Sequence, residues 1–338
     1  MPTIARQRRH FQEQNELLRQ LSERVVGQLR ALEQIVPYVQ MFQAELSPEG
    51  RPAGVFLLLG PTGTGKTRTV EALAEVLHGS PRNILKIDCG EFQMEHEVAK
   101  LIGAPPGYLG HRETTPMLTQ QKLGAVASER SGLALVLFDE IEKAAPSMTR
   151  LLLGVLDKAV LRLGDNSTVN FERALIFLTS NLGAREMRKQ MAPDFGFETM
   201  VPPAGAAAKL STIGMGAVKR KFAPEFVNRI DAVITYRPLE TVSLRLIVDQ
   251  QIEELERHIK NRLEDRAFDL FVTNGAREFL LRAGTSAEYG ARELKRAILR
   301  HLTQPLAAMV AGGKITAGAA VKVEVEEDED RLEIRIEN

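Results

Sequence analysis

Val55 to Leu59 is a compact apolar run that stops at Gly60, the profile of a strand buried on both faces of a parallel sheet. Behind the loop that follows, Val70, Leu73, Ala74 and Leu77 recur at helical spacing, so the chain reads strand, glycine loop, helix. The same apolar profile returns at Ile84 to Ile87, Leu133 to Phe138 and Ala174 to Thr179, with helix-like stretches between. Strands alternating with helices predict an α/β fold, a parallel sheet with helices on both faces. Between Met191 and Ala208 the periodicity stops at Pro193, Pro202, Pro203 and a row of Gly and Ala, and a mobile loop is expected over about 191–208. After Pro238 the pattern changes again. Leu244, Ile247, Val248, Gln251, Ile252, Leu255 and Ile259 trace one face of a long helix. A small, mostly helical C-terminal domain is predicted over 238–338. It closes with a β-hairpin in which Val321, Val323 and Val325, then Leu332, Ile334 and Ile336, alternate around a solvated acidic turn at Glu326 to Asp330. From about Phe11 to Val26, Gln, Glu, Leu and Arg predominate. A polar leader helix over 1–23 is expected there, ahead of a large domain over 24–237.

The chain has 338 residues, 44 % of them apolar, enough for two ordinary cores. Its 44 Lys plus Arg against 44 Asp plus Glu leave no net charge, so the balance points neither to nucleic acid nor to an anionic membrane. Cys89 is the single cysteine, no His/Cys cluster has zinc spacing, and the basic start lacks an apolar signal core. A cytoplasmic protein without a membrane anchor is expected.

The candidate chemistry lies in Gly60-Pro61-Thr62-Gly63-Thr64-Gly65-Lys66-Thr67. Three glycines permit a tight loop whose N–H groups surround a phosphate chain, and the helix behind it adds its dipole. In such a P-loop Lys66 holds the β- and γ-phosphates of ATP and Thr67 ligates Mg²⁺. The reaction also needs two carboxylates at a strand end beside the phosphates. Asp139, for the metal through water, and Glu140, for the attacking water, follow Leu135 to Phe138. Asn181 follows the strand Ile176 to Thr179 and would emerge at the same edge, although Ser-Asn-Leu-Gly is also a good turn. Arg229 and Arg292 are cations that could meet transition-state charge or form surface salt bridges.

Taken in order, these motifs resemble the AAA+ superfamily, and within it the second ATPase ring of the Clp unfoldases ClpA, ClpB and ClpC. The resemblance runs from Arg24-Val25-Val26-Gly27-Gln28 nearly to the C-terminus. It rests on the P-loop, Ile102 to Gly110 with Tyr108, Asp139 to Ala144, Thr179-Ser180-Asn181, Pro224 to Asp231 and Tyr289 to Arg296. It implies that Val25 and Val26 contact the nucleotide, that Asn181 is sensor 1 and that Arg292 is sensor 2. Arg229 corresponds to an arginine finger acting on the neighbouring subunit's ATP, which implies a homohexameric ring. Tyr108 corresponds to the pore-loop aromatic that grips unfolded or tagged polypeptide.

What the resemblance implies, then, is an ATP-dependent protein unfoldase, expected here as a minimal single-ring protein. Clp members that feed a ClpP-type peptidase carry an aliphatic-Gly-Phe or aliphatic-Gly-Leu tripeptide in a loop before the finger. This chain has Phe195-Gly196-Phe197 in that region. A regulatory subunit of such a protease is therefore one alternative, and a nucleic-acid-handling AAA+ ATPase is another.

Overall fold

The computed structural model describes residues 16–103, 116–191, 206–285, 290–326 and 331–337. Of these, the residues up to Pro61 and from Gly65 to Arg237 form one compact unit, and Thr62–Thr64 with the residues from Pro238 onward form the other.

The first unit is built on five parallel strands in the order β2 (Leu85–Asp88), β3 (Ala134–Asp139), β6 (Ala174–Ser180), β1 (Gly54–Leu59) and β7 (Ala232–Thr235). The short strands β4 (Val160–Arg162) and β5 (Thr168–Asn170) pair separately and antiparallel. The apolar runs are unbroken because the central strands feed two cores at once, as the two-residue period of a strand requires. Val55, Leu57 and Leu59, with Val136, Phe138, Ile176 and Leu178, face a core closed by Met148, Leu152, Val155 and Leu156 of the helix Pro146–Lys158. The alternate residues Phe56, Leu58, Leu135, Leu137, Leu175 and Phe177 face Val70, Leu73, Ala74 and Leu77 of the helix Lys66–His78. The helix Leu29–Gln43 adds Leu32, Ile35, Val36 and Val39 to that second core. The sheet with helices on both faces is therefore present.

Two expectations are refined by the structure. Residues 16–24 are helical, but Leu21 and Val25 are buried in the second core, with Leu17 and Leu18 against it. Their spacing makes one apolar stripe, so the expected helix is less polar than its composition implies and leads into the body by docking on the second core. The interruption expected over 191–208 is shorter at its end, because the helix Ala206–Lys221 starts inside it. The alanines that read as part of a Pro, Gly and Ala loop are the strongest helix formers once the prolines are passed.

In the second unit, Leu244, Val248, Ile252 and Ile259 of the helix Thr241–Leu263 pack with Phe279, Leu280 and Leu281 of the helix Asn274–Gly284. Strands β9 (Ala320–Val325) and β10 (Leu332–Glu337) pair antiparallel, as their alternation predicts. A strand not foreseen, β8 (Asp269–Val272), adds parallel to β9. Val321 and Val323 are fully buried while Leu332, Ile334 and Ile336 are only partly so, because β9 is the middle strand.

Candidate functional site

The parallel sheet brings the C-terminal ends of β1, β6 and β3 side by side at one edge, where open α/β sheets bind their ligands. β1 ends at Gly60, whose φ of 145° and close approach to the next strand exclude a side chain. A Cβ there would stand 2.6 Å from the Tyr236 carbonyl oxygen. Gly63 and Gly65 also have positive φ, and Gly65 caps the helix Lys66–His78 without a side-chain acceptor. The first-turn N–H groups of that helix thus carry no capping side chain and suit an anion. Tyr236, fully buried, donates its hydroxyl to Thr69 Oγ1 at 2.7 Å and ties the residue after β7 to this helix. Tyr236→Phe is expected to cost about 1 kcal/mol of stability in urea unfolding, the net worth of one hydrogen bond.

Lys66 is buried, and its amine donates to the carbonyls of Gly60 (2.6 Å) and Pro61 (2.9 Å) and to Asn181 Oδ1 (3.0 Å). Asn181 therefore reaches the P-loop lysine directly from the end of β6. Its Nδ2 donates to Glu140 Oε1 at 3.3 Å, and its backbone N–H donates to Glu142 Oε1 at 3.0 Å. On the neighbouring strand Asp139 accepts the Thr179 hydroxyl at 2.5 Å and pairs with Lys86 at 2.9 Å. Glu140 has φ 57°, a left-handed conformation that costs a non-glycine residue about 1–3 kcal/mol. Its N–H is held by Thr179 Oγ1 at 3.0 Å and its carboxylate by Lys143 at 2.5 Å, a pairing that raises the Lys143 pKa. Nearby Cys89 is completely buried. Burial first, then the charges of Asp139, Asp88, Glu142 and Glu140, push its thiol pKa far up, so it is no nucleophile.

The structure thus brings together Lys66, Asp139, Glu140 and Asn181. Thr67 is half-buried in the first turn behind the loop, and Thr64 is buried within it. Lys86 is not singled out by the sequence reading, and Thr179 and Lys143 enter it only as members of motifs, without a role of their own. Polar positions alternating with Ile87 in β2, and a Lys three residues after Glu140, were the available signals. Val25 is buried and Val26 partly buried at the end of the 16–24 helix. Val25 lines a cavity of about 620 Å³ with Gly27, Gln28, Leu210, Thr235 and Arg237. The Gln28 amide donates to the Arg237 carbonyl at 2.8 Å and fixes one wall. The Thr235 hydroxyl is buried in that lining with no hydrogen-bond partner among the described residues, a group suited to a polar ligand. Among the described residues no group of three or more His, Cys, Asp or Glu is placed to hold a metal ion.

Arg229 does not join its own chain's site. Two residues later Asp231 is bound to the start of β1, its N–H donating to the Val55 carbonyl (2.9 Å) and its carboxylate accepting the Val55 N–H (2.8 Å). Gly60 lies five residues along the strand, about 16 Å away at about 3.3 Å per residue, on the opposite edge of the sheet. Arg292 lies exposed on the helix Ala291–Ile298 of the second unit. Tyr108 and Phe195-Gly196-Phe197 lie outside the described residues. Among the described residues no helix is long and apolar enough to cross a membrane.

A glycine loop after β1, an acid pair ending β3 and an asparagine ending β6 define a P-loop ATPase of the AAA type, which binds nucleotide with a divalent metal. The chain belongs to the AAA domain family (Cdc48 subfamily), whose model matches residues 51–233. Residues 239–323 match the C-terminal, D2-small domain of ClpB protein, which places the likeness on the second ATPase module of that chaperone. The chain is 39 % identical over 308 residues to chaperone protein ClpB 1 of Parasynechococcus marenigrum, covering 91 % of this chain and 33 % of that protein. It is 39 % identical over 317 residues to chaperone protein ClpB of Rhodopseudomonas palustris, covering 93 % and 34 %. It thus spans about a third of the length of these relatives. Among solved structures, the S. cerevisiae Hsp104:casein complex in its extended conformation superposes with a TM-score of 0.79 at 29 % identity, covering 95 % of this chain and 52 % of that one. A closed-state reconstruction of Hsp104 with ATPyS and FITC casein gives a TM-score of 0.78 at 28 % identity, covering 96 % and 52 %.

Proposed function

We propose that this chain is an ATP-dependent protein unfoldase or remodelling chaperone of the cytoplasm, working as a homohexameric ring that threads polypeptide. The observation that carries the proposal is the split of the catalytic set across the sheet. Lys66, Asp139, Glu140 and Asn181 share the phosphate edge, while Arg229 is held at the other edge, which supports a role for it toward a neighbouring subunit. ATP, with its base in the cavity beside Val25 and Val26, would hold its phosphates on Gly60 to Lys66. Thr67 and Asp139 would hold Mg²⁺, which neutralises phosphate charge when bound. Glu140, oriented by Asn181, takes the proton of the attacking water.

Chaperone names among the relatives, and the capture of Hsp104 with casein, support a polypeptide substrate. None of these relatives is named for a peptidase, so docking through Phe195-Gly196-Phe197 gains no support from them. Tyr108 is the residue proposed to grip the chain. Tyr108→Ala is expected to keep ATPase activity and lose unfolding of a tagged fluorescent protein. Equal unfolding by both proteins would remove the threading mechanism.

A further inference from the structure

The side chain of Arg229 is held by its own chain at two points. Its Nη1 donates to the Glu225 carbonyl at 2.5 Å, and its Nε lies 3.5 Å from Asp157 Oδ1. That Nε is buried and has no hydrogen-bond partner of its own among the described residues, so the Asp157 carboxylate is the group that faces it. Asp157 stands in the last turn of the helix Pro146–Lys158. The negative end of the helix dipole disfavours a carboxylate there, and its side chain, 46 % exposed, fills no core. An acid that breaks the local rule without a packing reason is expected to serve a specific partner. The backbone is held separately, by the Asp231 clamp on Val55. Asp157 and Glu225 engage Nε and Nη1, which leaves Nη2 as the donor end of the guanidinium.

We infer that Asp157 is a positioning residue for the arginine that acts in trans: its carboxylate orients the Arg229 guanidinium so that the free end meets the phosphate of the neighbouring subunit. The inference rests on the proposed trans role of Arg229. Losing the carboxylate leaves the arginine present but unaimed, and a misplacement of about 1 Å can cost up to about 10²-fold in rate.

The test is steady-state ATPase on the assembled full chain for Asp157→Asn, Asp157→Glu, Arg229→Ala and the double variant Asp157→Asn with Arg229→Ala. Asp157→Asn is expected to lower kcat on the order of tenfold or more with KM and ring size unchanged, since only transition-state contacts are lost. Asp157→Glu restores most of the rate. In the Arg229→Ala background Asp157→Asn has no further effect, because the two residues act as one unit. Full activity of Asp157→Asn, or a loss that adds in full to that of Arg229→Ala, overturns the positioning role while leaving the trans arginine intact. Wild-type turnover by Arg229→Ala is the separate result that removes the trans reading and this inference with it.

Discussion

Glu140→Gln is expected to bind ATP as the parent does and to hydrolyse it about 10²–10⁴-fold more slowly, the usual contribution of a general base. Glutamine keeps the shape of the side chain and an oxygen for Asn181 Nδ2, so the site's architecture survives. It loses the carboxylate proposed to take a proton from water, which also pairs with Lys143. The strained backbone strengthens the case for chemistry at this position. A left-handed φ of 57° would be relieved by glycine, yet a glutamate stands there, with its N–H held by the Thr179 hydroxyl. Phosphate release together with binding of a fluorescent ATP analogue measures both quantities. Turnover near the parent rate would place the base elsewhere, and lost binding would make Glu140 structural.

The same hydroxyl shows how the site is assembled. Thr179 Oγ1 donates to Asp139 and accepts from Glu140, so one β6 side chain fixes both acids of β3. Lys86 reaches Asp139 from β2, on the other side of β3, and Lys143 reaches Glu140 from the turn that follows it. Each acid therefore has a lysine partner within its own chain. These contacts hold Asp139 and Glu140 in place beside Lys66 without any help from another subunit.

Legibility followed the range of the interactions. The glycine loop, Lys66 and the Asp139-Glu140 pair are consecutive residues beside apolar runs, and their chemistry is local in sequence. That Asn181 touches Lys66 could be anticipated only as a shared edge. The contact itself depends on β6 lying next to β1, and the order β2-β3-β6-β1-β7 is not written in any spacing. β7 was missed because Ala232 to Thr235 is four residues long and only Ile234 is fully buried. Yet the residue after β7, Tyr236, and Asp231 before it secure both ends of β1, through Leu59 at one end and Val55 at the other. The contact of Asp157 was invisible for the same reason as those of Thr179: the partner comes from a distant segment, and only the fold brings them together.

Arg229→Ala is expected to lower the ATPase rate of the assembled protein by about 10³–10⁵-fold, the range for loss of an arginine finger, while each subunit still binds ATP. The decisive measurement is mixing. On the proposed trans reading, a complete site takes Glu140 from the subunit holding the nucleotide and Arg229 from its neighbour. Rings made only of Arg229→Ala, or only of Glu140→Gln, have no complete site. In randomly mixed rings at equal proportions, about a quarter of sites pair an intact Glu140 with an intact Arg229 across the interface, so activity returns to about that fraction of the parent's. An arginine serving its own chain's nucleotide would restore nothing on mixing, since neither parent supplies both residues in one polypeptide. The sheet already argues against that alternative. The Asp231 clamp holds the finger segment at the start of β1, and the phosphate loop leaves from its end. Reaching its own phosphates would require the segment to leave the Val55 backbone, breaking both the amide and the carboxylate contact of Asp231.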